Sequence, residues 1–339
     1  MNLSKKCLII FSLFYFFSCD MKKEIIISGK TMGTFYNIRV VGSIFQNSNN
    51  LKQMINNRLK EVNQSMSTFD PESEISKFNN INDEETELEI SNDFYHVLLK
   101  SQKIYNITSG AWDATIKPLV NLWGFGNTIN NLDIPDKKKI DELIKNVGFN
   151  NIILKKNRIK KLNKNISINL ASIAKGYGVD VISCLLKENN IENFLVEIGG
   201  EVYASGTKKD GGYWRIGINN PAKNASLDDI YEILTLKNCA IATSGNYRNF
   251  FEINNTNYSH IINPATGWPV NNNIVSASVI ADDCMFADGL ATALMVIGVD
   301  KGINLIDNLE NVECMIIIKN NDNKYNDFYS SNFKSFIAN

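Results

Sequence analysis

The spacing of apolar residues changes along this chain, and each change marks an element. "EIIISGKTMGTFYNIRVVG" (24–42) has strand-like runs on both sides of a Gly-containing turn, which predicts two strands. In "LKQMINNRLKEVNQSM", Leu51, Met54, Ile55, Leu59 and Val62 recur at helical spacing; the polar "STFDPESEISKFN" then reads as a loop. "DFYHVLLKSQKIYNIT" predicts a second amphipathic helix, with His96 on or near one face and no chemistry assigned to it. "SGAWDATIKPLVNLWGFG" is too rich in Gly, Trp and Pro for a plain helix or strand. "IPDKKKIDELIKNVGF" predicts a short exposed helix, and "IILKKNRIKKLNKNISINL" a hairpin whose basic residues Lys155 to Lys164 form a solvated face. A helix over "ASIAKGYGVDVISCLLKEN" and a buried strand with a Gly-Gly break over "NFLVEIGGEVYASG" come next. Strand and turn patterns then run to "VSASVIA", ahead of helices over "DDCMFADGLATALMVIG" and about 301–309 and a last strand over "VECMIIIKNN". Strands and helices mix without a βαβ rhythm, so the expected class is α+β, in a single mixed domain.

Composition narrows the function classes. The 339 residues are 44% hydrophobic, 21% charged and carry a formal net charge of −1, which speaks against a nucleic-acid binder. Lys5 and Lys6 precede "CLIIFSLFYFF", an apolar run of signal-peptide length, and small Ser18 stands directly before Cys19. A basic start, an apolar run, a small residue and Cys together resemble a bacterial lipoprotein signal. An ordinary secretory signal or an uncleaved anchor would share its first part. The expected boundaries are a signal over 1–18, a tether from lipidated Cys19 over 19–28, and the functional domain over 29–339. Beyond Cys7 and Cys19, the thiols of Cys184, Cys239, Cys284 and Cys314 are widely spaced and are expected to be free and buried. No CxxC occurs, and the two distant histidines, His96 and His260, make no ordinary zinc site.

Short polar-and-glycine motifs hold the candidate chemistry. Each has a structural explanation by itself: Gly199-Gly200 as a bulge, Thr243 to Gly245 as a turn, Lys175-Gly176 as an exposed helix bend. Asp288 and Thr292 are four residues apart, on one helix face. His260, in "YSHIINPATGWPV", is open to three roles: core residue, metal ligand or proton acceptor.

The order of the motifs adds what no single one carries. "GKTMGTFY", "STFDPESEISKFN", "GAWDATIKPLVNLWGFG", "NLASIAKGYGVD", "VEIGGEVYASG", "ATSGNYRNF", "SHIINPATGWPV" and "ADGLATALMVIG" follow one another from about Gly29 to Gly298. Together they resemble the family of FAD:protein FMN transferases. The resemblance implies a single α+β domain that binds FAD and Mg2+ on the outer face of the cytoplasmic membrane, in the bacterial cell envelope. The implied reaction moves FMN from FAD to a Thr or Ser of an exported acceptor, releasing AMP. The implied acceptor motif is Asp-Gly-x-x-(Ser/Thr)-(Gly/Ala)-Ala-Thr.

The resemblance also implies roles for single residues. Met32 and Phe69 would contact or stack on the flavin nucleotide, and Ala111, Trp112 and Asp113 would form the flavin-contacting segment, Trp replacing the usual Phe. Asn169 stands where the family usually has Asp, leaving a hydrogen-bonding role to adenine or ribose. Lys175 would offset charge on the pyrophosphate and the leaving AMP. Ser172 through its main-chain oxygen, Asp288 and Thr292 would hold Mg2+, a hard ion that takes oxygen donors. His260 would contact FAD and accept the acceptor-hydroxyl proton. Two other readings use the same residues: a Mg2+-dependent FAD pyrophosphatase, and a non-catalytic FAD-binding lipoprotein.

Overall fold

The computed structural model describes residues 22–43, 47–126, 133–222, 225–226, 228–246, 250–253 and 256–338. The expected signal segment and Cys19 lie outside the described residues. Along the chain run β1 (Lys22–Thr31), β2 (Thr34–Ser43), α1 (Ser48–Met66), α2 (Glu74–Asn80), β3 (Glu87–Glu89), α3 (Asn92–Ile107), α4 (Lys117–Leu122), α5 (Lys137–Leu143), β4 (Ile152–Lys155) and β5 (Arg158–Lys161). The second half contains α6 (Ala174–Glu188), β6 (Asn193–Ile198), β7 (Glu201–Ser205), β8 (Trp214–Asn219), β9 (Ile230–Leu236), β10 (Cys239–Gly245), β11 (Phe250–Ile253) and β12 (Thr256–Ser259). It ends with β13 (Ile274–Ala281), α7 (Cys284–Ile297), α8 (Val299–Asp307), β14 (Glu313–Lys319) and β15 (Tyr325–Tyr329).

Eight strands form one sheet in the order β1-β2-β6-β7-β10-β13-β14-β15, every neighbouring pair antiparallel. Alternation sends side chains to both faces of the sheet. Ile27, Ile38, Val40, Val196 and Ile198 pack with Leu51, Ile55 and Leu59 of α1 and Val179 and Ile182 of α6. Val202, Ile241, Ile280 and Ile317 face the other way, against Trp214, Leu234 and Leu236 of the β8–β9 hairpin and Phe333. The α+β expectation holds, as helices, sheet and covering hairpin in layers.

Several local expectations change. Residues 22–28, expected as tether, are paired with β2, so the domain begins before residue 29. The polar loop contains α2, because Ser73 caps it by accepting from the Ser76 N–H (3.2 Å), and Ile75 and Phe78 are buried three apart on one face. The Gly-Gly break is a hairpin turn. Ile198 pairs with Glu201 across two glycines at φ +63° and +104°, a backbone that suits glycine and makes two strands of one expected strand. Lys161 leaves the solvated face: its ammonium donates to the carbonyls of Asn79, Ile81 and Lys164, and burial pulls its pKa down to about 8. All four described cysteines are free, but only Cys284 and Cys314 are buried.

Candidate active site

Two helices cap each other where the site forms. α6 begins without a side-chain cap of its own, which leaves its first N–H groups needing acceptors. Asp288 of α7 supplies one, accepting from the Gly176 N–H at 3.1 Å. In return Asp180 of α6 accepts from the N–H groups of Cys284 and Met285 at 2.8 Å each, beside the Asp283 cap of α7. Close approach makes this possible: a Cβ on Gly176 would lie 2.5 Å from the Cys284 carbonyl oxygen. Burial, with Asp283 adding to it, pushes the Asp180 carboxyl up to about 7 from 3.8.

Lys175 lies next to this junction, between two carboxylates. Its ammonium donates to Glu201 Oε1 at 2.8 Å and stands 3.7 Å from Asp288 Oδ2. Burial works against the lysine charge, but Asp288 and Glu201 outweigh it and hold its pKa above the ordinary value. Burial pushes Glu201 up to about 7 against the pull of Lys175. One turn along α7, Thr292 shares a 2.8 Å hydrogen bond with Ser244 of β10. Asp288 and Thr292 therefore satisfy themselves against α6 and β10, and not against each other. Among the described residues no three His, Cys, Asp or Glu side chains gather as a metal cage.

The sequence-identified residues around this cluster divide into two groups. Met32, in the left-handed region at φ 49°, forms the β1–β2 turn with Gly33 and reaches α6; a Cβ on Gly178 would lie 3.0 Å from its methyl carbon. Ser172 accepts from the Trp112 indole N–H at 2.9 Å, so its hydroxyl is engaged while its main-chain oxygen is a separate group. Trp112 and Asp113, expected to touch flavin, are buried: Trp112 packs in the core, and Asp113 caps the 114–116 turn through Thr115. Desolvation raises the Asp113 pKa. Of that segment Ala111 alone is partly exposed. Asn169 ties the same segment down, donating its N–H to Ala114 O (2.7 Å) and accepting from Ala171 N–H (2.8 Å).

His260 and Phe69 have surroundings of their own. His260 stands edge-on to Phe125 at 6.3 Å between ring centroids, beside Trp123 stacked on Tyr258 and edge-on to Trp268. The turn after it is pinned by Gly267, whose N–H reaches Asn263 O and whose carbonyl accepts from Trp123 Nε1. Phe69 is 82% exposed on a turn held by Ser73 Oγ, which donates to the carbonyls of Ser67 and Asp70. Asn63, at the end of α1, donates to Thr31 Oγ1 at 2.9 Å, which sets the Phe69 turn at the same end of the sheet as Met32. His96 packs tilted against Tyr177. Sequence reasoning passed over Glu201 and Asp180. The signal for Glu201 was an acid directly after Gly-Gly in an otherwise apolar strand, and all of β7 is buried.

The model of the ApbE family matches residues 32–316. The chain is 38% identical to the FAD:protein FMN transferase of Vibrio cholerae over 96% of this chain and 97% of that one. The Haemophilus influenzae protein of the same name is 37% identical, over 94% and 93%. The solved flavin transferase ApbE from Vibrio cholerae superposes with a TM-score of 0.85, covering 93% of this chain and 99% of that one at 37% identity. The flavinyl transferase ApbE of Pseudomonas stutzeri gives 0.84 at 28% identity, covering 93% and 97%. A family model over residues 32–316 and a relative 38% identical over 96% of the chain lead to one assignment: the chain belongs to the ApbE family.

Proposed function

We propose that this chain is an FAD:protein FMN transferase that moves the FMN half of FAD onto a Thr or Ser hydroxyl of an exported acceptor. The observation that carries the reading is the convergence of Lys175, Asp288 and Thr292 where α6, α7 and β10 meet, one cation and two oxygen donors held in place by those elements. These donors fit Mg2+. Asp288 gives a carboxylate, Thr292 a hydroxyl and Ser172 a main-chain oxygen, an all-oxygen set with room left for water and phosphate. When bound there, Mg2+ would supply charge neutralisation on the pyrophosphate.

The chain's own residues supply the remaining needs of phosphoryl transfer. The acceptor oxygen forms a bond to the FMN phosphorus as the anhydride P–O bond to AMP breaks, and the hydroxyl proton goes to His260. Lys175 offsets charge on the departing phosphate. Met32, Phe69 and Ala111 offer surface to the flavin nucleotide, while Trp112, Asp113 and Asn169 hold the segment that presents Ala111. The acceptor carries the Asp-Gly-x-x-(Ser/Thr)-(Gly/Ala)-Ala-Thr-type motif. The basic-apolar-Ser18-Cys19 start supports export and lipid anchoring to the outer face of the cytoplasmic membrane. The test is incubation with FAD, Mg2+ and an acceptor bearing the motif, followed by intact mass and AMP assay. Acceptor heavier by one FMN is expected. Free FMN with unmodified acceptor would make it a pyrophosphatase, and unchanged FAD a binder.

A further inference from the structure

Glu201 has no part in that account, yet it is the most unusual carboxylate in the site. It opens β7, is 4% exposed, and its position is fixed by pairing with Ile198 across the two-glycine turn. Oε1 accepts from the Lys175 ammonium, whereas Oε2 is buried with no hydrogen-bond partner. Leaving a carboxylate oxygen in that state costs folding free energy and points to a use. The path of the lysine is built for this contact. Gly199 lies beneath it, and a Cβ there would come within 3.2 Å of Lys175 Cδ and 2.8 Å of Thr34 Cγ2. Lys175 therefore lies across the β6–β7 turn toward Glu201, and its ammonium is 0.9 Å nearer Glu201 (2.8 Å) than Asp288 (3.7 Å).

Two anions share one cation in an enclosed place, where charge interactions are much stronger than in water. Without Glu201, Asp288 would be the remaining anion in this cluster for the ammonium, and a full Lys175–Asp288 ion pair would compete with any divalent ion for that carboxylate. We propose that Glu201 is a positioning residue: by holding Lys175 it keeps Asp288 open to Mg2+, and its second oxygen accepts a hydrogen bond from a water or hydroxyl of the loaded site. The inference rests on the reading of Asp288 and Thr292 as Mg2+ ligands.

A double-mutant cycle on ligand binding tests it, with no turnover required. FAD binding is followed by flavin fluorescence against Mg2+ concentration for the unaltered protein, E201Q, K175M and the double variant. The Mg2+ needed for half-maximal binding should rise about tenfold in E201Q, equivalent to about 1.4 kcal/mol. In the K175M background the same Glu201→Gln change should shift it by less than about threefold, because the competing ammonium is gone. An equal shift in both backgrounds would mean that Glu201 acts directly on the ion and would overturn the proposal. So would an unchanged E201Q curve beside a Mg2+-dependent unaltered protein. FAD binding by the unaltered protein that ignores Mg2+ would overturn the Mg2+ reading as well. If circular dichroism shows E201Q unfolded, E201D repeats the test, since it keeps the charge but withdraws the carboxylate by one methylene; the same tenfold shift is expected.

Discussion

Asp288 and Phe69 stand at opposite limits of exposure, 3% against 82%. Asp288 sits where two helices cap each other, and its Oδ2 accepts from the Gly176 N–H. Phe69 projects from a turn whose backbone is held by Ser67 and Ser73 while its ring packs against nothing large. The buried region is held by its own hydrogen bonds, which suits groups that must meet developing charge without reorganising. The exposed region offers area and gives up little packing when it binds. Changes in the first should therefore cost catalysis or folding, and changes in the second should cost affinity alone.

The largest effect is expected at Asp288. Asp288→Asn keeps the shape but removes the charge and faces an amide toward the Gly176 N–H. AMP release with FAD, Mg2+ and acceptor should fall by roughly a thousandfold, in the range seen when a charge-stabilising group is lost. A rate within about threefold of the unaltered protein would dissociate the buried cluster from the chemistry. Gly176→Ala attacks the same junction through packing. Its new methyl meets the Cys284 backbone at 2.5 Å, and backbone cannot swing aside. A loss of about 1–3 kcal/mol is expected, read as a fall in Tm of several degrees. An unchanged Tm would show that the α6–α7 contact is looser than its geometry.

The contrast also explains what the sequence made legible. The strand-like runs over 24–42 and the helical spacing from Leu51 to Val62 come from residues close in sequence, and the β1–β2 pair and α1 follow them. Asp288 and Thr292 were readable because four residues on a helix fix their relation whatever surrounds them. Partners distant in sequence were not. The bond from Ser244 to Thr292 and the two from Asp180 to α7 exist only through tertiary approach. The burial of Trp112 was not readable for the same reason: a motif aromatic reads alike whether its face meets a ligand or the core. The buried Lys161 was hidden by its neighbours, because Lys155, Arg158 and Lys160 are ordinary surface cations paired with Glu85 and Glu87. A run of like charges does not disclose which member turns inward.

Asp180 gives the buried region a pH signature of intermediate size. Its carboxyl titrates at about 7 in the folded protein against an ordinary 3.8, so between these values the folded chain retains a proton that the unfolded chain has released. Stability from this group is present in full below about pH 4, falls as pH rises, and is lost above about pH 7. Glu201, raised to about 7, acts in the same direction. The Tm should thus be lower at pH 8 than at pH 5, by roughly 5 °C, and Asp180→Asn should flatten part of that slope. Asp283 and Lys100, ion-paired at 2.7 Å nearby, keep their own contact in the variant. A Tm that climbs from pH 5 to pH 8 in the unaltered protein would contradict the enclosed carboxyl.

The smallest effect belongs to Phe69, and it separates the two regions most cleanly. An exposed ring loses no core contacts on truncation, so Phe69→Ala should leave the stability within about 0.5 kcal/mol. Stacking on a flat ring is worth about 0.5–1.5 kcal/mol, so FAD should bind roughly two- to tenfold more weakly. Trp112→Ala is the control from the other region: a buried aromatic with a hydrogen bond to Ser172 should lower stability by about 3–5 kcal/mol. Urea unfolding and flavin fluorescence on both variants give four numbers that must cross, with Phe69 moving affinity and Trp112 moving stability. If Phe69→Ala lowers stability as Trp112→Ala does, the turn is part of the core and the division between a preformed cluster and an open binding surface is wrong. If neither affinity nor stability moves, Phe69 belongs to another surface, and Met32 and Ala111 are left as the groups that meet the flavin nucleotide.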